Sequence, residues 1–144
     1  MKRDWDLLRE QLLAIEEDKD FKTVILGEIA DEPRWLDGQP EVDYIQIMTK
    51  YQKAESRIFG HLEMLVDNGY VEGLFLSRSA GGSSFSYGLA DPRLTMAGHD
   101  LLDTMRSAPL WEKIKTTAKT KGVELTFDTI KGLAGFALKS LLSG

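Results

Sequence analysis

Residues 53–77, KAESRIFGHLEMLVDNGYVEGLFLS, constrain the fold more than any other stretch, because they change period without a break. Up to Asp67 the apolar residues return every three or four positions, the repeat of a helix. From Tyr70 the run turns short, aromatic and β-branched, which is the mark of a strand. Gly69 stands at the junction, where a left-handed residue ends many helices. The reading is a helix over about Gln52 to Asp67, with Ala54, Ile58, Leu62, Leu65 and Val66 inward and Phe59 beside them. A strand follows over Tyr70 to Ser77, then the flexible tip SRSAGGSS, then a return strand over Phe85 to Leu89. Helix followed by hairpin is how a winged helix-turn-helix ends, and such modules meet nucleic acid through the helix and the hairpin tip.

The rest of the chain is less regular. Asp4 is placed to cap a first helix from about Trp5 to Glu17, with Trp5, Leu8, Leu12 and Ile15 on its buried side and Leu7 and Leu13 widening the stripe. The segments 22–30 and 42–50 are short and apolar. They read as two strands joined by DEPRWLDGQPE, although runs this brief also suit a short helix. Trp35, in that connection, is expected to pack on the edge of the core or, if exposed, to serve a partner. Thr95 should cap a helix over Met96 to about Arg106, with Leu101, Leu102 and Met105 inward. Pro109 opens another helix at its permitted first turn, placing Leu110, Trp111 and Ile114 on one side until Gly122 ends it. From Leu125 the chain is apolar almost all round, so its last helix needs cover on more than one side. It either lies across the first helix within one subunit or pairs with a second copy in a homodimer. The expected architecture is α+β: a winged helix-turn-helix-like region over 1–95 and additional C-terminal helices, 96–144, packed on it as one compact unit.

Charge and chemistry narrow the function. Residues 1–49 carry six basic and thirteen acidic side chains, a net of −7, while residues 50–144 carry twelve and ten, a net of +2. The helix–hairpin part is therefore close to neutral within a chain of net charge −5. There is no cysteine, which excludes disulfides, thiolate catalysis and cysteine-based zinc sites, and two histidines alone do not make a typical zinc site. His61 adjoins the buried stripe of its helix, where a packed histidine holding a backbone group is the expectation. His99, with Asp100 beside it and Asp103 one turn on, has no nucleophile or phosphate-binding loop to work with. The expected protein is not an enzyme and uses no cofactor or metal. It has neither a secretion signal nor a membrane span, so a cytoplasmic location is expected.

The candidate contact residues for nucleic acid are Lys50, Gln52, Lys53, Ser56 and Arg57 on the helix, and Arg78 near the hairpin tip for a backbone phosphate. Glu55, Glu63 and Asp67 offset that positive charge, and a plain solvated helix face would carry the same residues. Lys113, Lys115, Lys119 and Lys121 make the segment after Pro109 the most basic, suited to a phosphate backbone, to an acidic partner or simply to solubility. Double-stranded DNA is one expected partner. A host protein, docked on the acidic first third, is the other.

Three ordered blocks, MKRDWDLLREQLLAIEE, RIFGHLEMLVDNGYVEG and LTMAGHDLLDTMRSAPLWEKIK, together resemble the DUF2513 family, small uncharacterised proteins common in phages and prophages. The resemblance covers most of the chain and implies a winged-helix module followed by helices, with no settled activity. Two features depart from the family pattern: MAGHD, where the family tends to place an aromatic-glutamate pair before Gly98, and a longer, more acidic stretch around residues 19–43.

Overall fold

The computed structural model describes residues 1–82 and 84–143, so Ser83 of the expected hairpin tip lies outside the described residues. Among the described residues the fold is α+β, with five α-helices, two short helical turns and one antiparallel hairpin. Helix α1, Trp5–Glu16, starts where Asp4 Oδ1 accepts the Leu7 amide at 3.1 Å, which satisfies an otherwise orphaned donor. It buries Trp5, Leu8, Leu12 and Ile15, together with Gln11, whose Nε2 donates to the Ile58 carbonyl at 3.1 Å.

The two expected strands, 22–30 and 42–50, are helical instead. Asp20 caps a π-helical turn, Phe21–Leu26, by accepting from both the Thr23 amide and the Thr23 hydroxyl at 2.8 Å. A 3-10 turn, Gly27–Ile29, follows, and Phe21, Leu26 and Ile29 are the buried residues of the pair. A local side-chain cap thus decided a segment whose composition was ambiguous. Residues 42–50 are the opening turns of α2, Glu41–Asp67, which runs 27 residues rather than starting at Gln52. That stretch touches little of the body: Val42 and Ile45 are 64% and 53% exposed. A projecting strand with no neighbour would leave its amides and carbonyls unpaired, whereas a helix bonds its own backbone. Trp35 does not reach the core edge; it is half exposed and sits edge-on against Tyr44 of α2, centroids 5.2 Å apart.

The other end of α2 is anchored. Ile58, Phe59, Leu62 and Leu65 are buried, and the helix closes as the Tyr70 amide donates to the Leu65 carbonyl at 2.9 Å and the Gly69 amide to Val66 at 3.1 Å. This closure needs a left-handed residue, and Gly69 supplies it at φ 74°. Strand β1, Val71–Arg78, then pairs with β2, Phe85–Leu94, from Arg78 opposite Phe85 to Val71 opposite Leu94. Ala90, Asp91 and Pro92 bulge out opposite Gly73, where a Cβ would lie 2.5 Å from two backbone oxygens. The ring of Phe85 stacks on Phe59 at 5.0 Å and Tyr87 meets Phe21 at 4.8 Å, so the hairpin rests on both α2 and the π-helical turn.

Helix α3, Met96–Met105, returns to that junction. The Thr95 hydroxyl caps the Gly98 amide at 3.0 Å and donates to the Gly69 carbonyl at 2.5 Å, and Gly98 packs so close that a Cβ would drive into the Tyr70 carbonyl oxygen. Helix α4, Ala108–Lys121, ends at Gly122 with φ 67°. Helix α5, Phe127–Ser143, begins with Thr126 and Thr129 bonding each other's amides in a reciprocal cap and packs chiefly against α4 and α3. One continuous core takes in Leu8 and Leu12 of α1, Leu62 and Leu65 of α2, Val71 and Leu74 of β1, Leu101 and Met105 of α3, Trp111 and Ile114 of α4 and Ile130 of α5.

Candidate nucleic-acid interface

All five candidate residues on α2 are exposed and lie on the side of the helix away from the core. Lys50, Lys53 and Arg57 recur at spacings of three and four, which stacks them along one line. Gln52 and Ser56 form the neighbouring line. Gln52, Lys53, Ser56 and Arg57 border one shallow depression of about 520 Å³, completed by Thr49 and by Met1 and Lys2 from the start of the chain. Lys50 borders a different one, on the flank that faces Glu28, Asp31, Pro33 and Tyr51.

Lys2 is the residue that sequence reasoning missed, and packing at Gly60 explains its position. Met1 lies over Gly60, where a Cβ would come within 2.6 Å of the methionine Cε. The absence of a side chain at one helical position thus makes room for Met1, and Lys2 borders the same depression as Lys53. The run Lys2-Arg3 was a signal of its own: two adjacent cations in a strongly acidic first third.

The two candidate arginines are both committed within the molecule. Arg57 donates to Asp4 Oδ2 at 2.6 Å. Burial works to raise the Asp4 carboxyl, but the bond from Arg57, the Leu7 amide and the nearby guanidinium charge outweigh it and hold the group below its usual range. Arg78 pairs with Glu63 and lies over the Phe85 ring, 4.8 Å from its centre. Glu63 stands two helical turns beyond Ser56 on the same face, about 10 Å along the axis. The hairpin arginine therefore reaches the far end of the strip rather than the depression itself. Lys2, Lys50 and Lys53 have no ion-pair partner among the described residues.

The acidic offset is smaller than the sequence suggested. Glu55 turns inward and is 5% exposed; burial, followed by the neighbouring Glu55 carboxylate, pushes the Tyr51 phenol up to about 12. That leaves Glu63, already paired, and Asp67 on the outer face.

Both histidines serve contacts between elements. His61 is fully buried: Nε2 accepts the Asp4 amide at 2.8 Å, so Nδ1 carries the proton and donates to the Arg57 carbonyl at 2.6 Å. It ties the start of α1 to α2 one turn beyond Arg57, a residue that borders the depression. His99 meets Glu16 of α1 at 3.2 Å rather than Asp100 or Asp103, and Glu16 also takes a two-pronged bond from Arg106 at 2.5 and 2.7 Å. The basic helix α4 is partly occupied as well: Lys115 bonds Asp6 at 2.9 Å beside the Trp111 indole, and Lys121 lies over Phe136. Among the described residues no three acidic or histidine side chains group to hold a metal, and no helix is long and apolar enough to cross a membrane.

Comparison with known proteins places the chain by family. The model described as "Hypothetical protein (DUF2513)" matches residues 2–124, and the chain belongs to that family. An uncharacterized protein of Haemophilus influenzae is 29% identical over 143 residues, 99% of this chain and the whole of the relative. No solved structure gives a significant match.

Proposed function

We propose that this member of the DUF2513 family is a DNA-binding protein of the cytoplasm, a regulator carried by phage or prophage, and that it binds without catalysis. Its reading surface is the outer face of α2. In this account α1, the two turns after it, α2 and the hairpin act as a winged helix-turn-helix-like module, with the later helices packed beneath. The carrying observation is the convergence of Lys2 and Lys53, both without an ion-pair partner among the described residues, with Gln52 and Ser56 around one open depression. Cations of this kind supply phosphate contacts, and Gln and Ser hydroxyl or amide groups suit base edges in a major groove. Arg57, held by Asp4, is a positioned donor, and Arg78 extends the strip toward the hairpin tip.

A mobility-shift series on a mixed duplex pool at several salt concentrations tests this. Affinity should fall steeply with salt, and Lys53→Ala should lower the slope by about one unit, as loss of one phosphate contact does. Absence of any shift at low salt removes the proposal.

A second reading has its own support. Val42 and Ile45 lie exposed on the outer side of the first turns of α2, flanked by Glu41 and Asp43. An apolar strip edged with carboxylates suits a basic host protein rather than a phosphate backbone. Binding that survives Lys53→Ala but is lost on Ile45→Asp favours that partner.

A further inference from the structure

The outer face of α5 matches its own inverse. The helix packs inward through Ile130 and Ala137 and leaves Phe136, Leu138 and Leu142 at 52%, 47% and 80% exposure. Opposite the packed side, Asp128, Gly132, Gly135 and Lys139 are all exposed and follow one another at spacings of four, three and four, so they form a single line along the helix. Neither Asp128 nor Lys139 has an ion-pair partner among the described residues, and a Cβ at either glycine would meet nothing within 4 Å.

We propose that a second copy of this chain covers this face, α5 against α5, antiparallel, about a two-fold axis between Leu133 and Ala134. That axis sets Gly132 opposite Gly135 of the second copy and Asp128 opposite Lys139, each twice. The acidic end of one line meets the basic end of the other, and a parallel pairing would lose this match by setting like charges side by side. The paired glycines let the helices approach at the short end of the usual spacing of about 8–10 Å. Leu138 and Leu142 flank one edge of the seam and Phe136 the other, so the exposed apolar groups lose water as the charged ends meet. The contact is isologous, as a closed dimer requires. A single helix pair of this kind is expected to associate with a dissociation constant on the order of micromolar. The inference is independent of what α2 binds.

Sedimentation velocity over a concentration series on the full chain tests it. The chain should pass from monomer to dimer. Asp128→Lys and Lys139→Asp should each weaken dimerisation roughly tenfold at low salt, because two attractive pairs become repulsive. Mixing equal amounts of these two variants should restore association, since each then presents the charge the other lacks. Gly135→Leu should leave the circular dichroism spectrum intact, as the site is open, and abolish the dimer. A monomer at every concentration well above micromolar overturns the proposal. So does a dimer indifferent to both reversals, or two weakened variants that fail to associate when mixed.

Discussion

The two halves of α2 are one continuous helix with opposite relations to the rest of the molecule. From Ile58 onward it is wedged between α1 and the hairpin, closed by Gly69 and locked by Thr95 and Gly98. Before Tyr51 it stands out, with Trp35 resting on Tyr44 and with Val42 and Ile45 in solvent. The difference shows a division of labour along one element. Packing fixes the angle of the rod at one end, and the other end is free to meet something else. The depression with Lys2 and Lys53 lies where the two regimes join.

That contrast can be broken at its anchored end first. Gly98→Ala forces a Cβ into the Tyr70 carbonyl, so α3 cannot dock on the end of α2. A loss above about 4 kcal/mol, or failure to fold, is expected in urea unfolding. Next, His61→Ala removes a fully buried ring and leaves the Asp4 amide without its acceptor, while the Arg57 carbonyl keeps its helical partner. A loss of about 2–4 kcal/mol is expected by the same assay, from the cavity and the unpaired amide together. At the free end Ile45→Ala should move stability by no more than about 0.5 kcal/mol. A large loss there would show that the projecting turns are covered in solution.

Acid should act on the anchored region through its ion pairs. The Arg106 bond, against a smaller opposing effect of burial, holds the Glu16 carboxyl below its ordinary value of 4.5, and the Trp111 indole and Lys115 hold Asp6 below 3.8. A carboxyl lowered on folding contributes stability that is whole above its unfolded value and disappears as pH falls through the folded one. Urea midpoints should therefore be flat from neutral pH to about pH 5 as far as these groups are concerned, then drop. Glu16→Gln should flatten part of that drop.

The anchored half was also the legible half. Burial on one side imposes a three-to-four repeat on Ile58, Leu62 and Leu65, and the strand that follows Gly69 carries its own signature, so helix and hairpin both stood out in the sequence. In residues 42–50 no face is buried, selection for a period is absent, and apolar residues fell on several sides, which read as a strand. Asp20 did not reveal that it would cap a π-helical turn, because that depends on Thr23 turning back to it. The candidate site was half visible. Its α2 residues followed from the helix angle, but the pairing of Arg57 with Asp4 across 53 positions, and the seating of Lys2 by Met1 on Gly60, are consequences of folding that no local pattern carries. Glu55 looked solvated because it is charged, yet it sits on the inward side of the helix angle.

Fluorescence anisotropy with a short labelled duplex at low salt, comparing Lys53→Glu with Lys121→Glu, tests the central proposal most directly. Both substitutions change the net charge equally, but Lys121 lies on α4 over Phe136, away from the α2 face. The account predicts that Lys53→Glu weakens binding at least about tenfold, as when a phosphate contact turns repulsive, while Lys121→Glu changes it little. Equal losses from the two, or no binding by the unaltered chain, would contradict it.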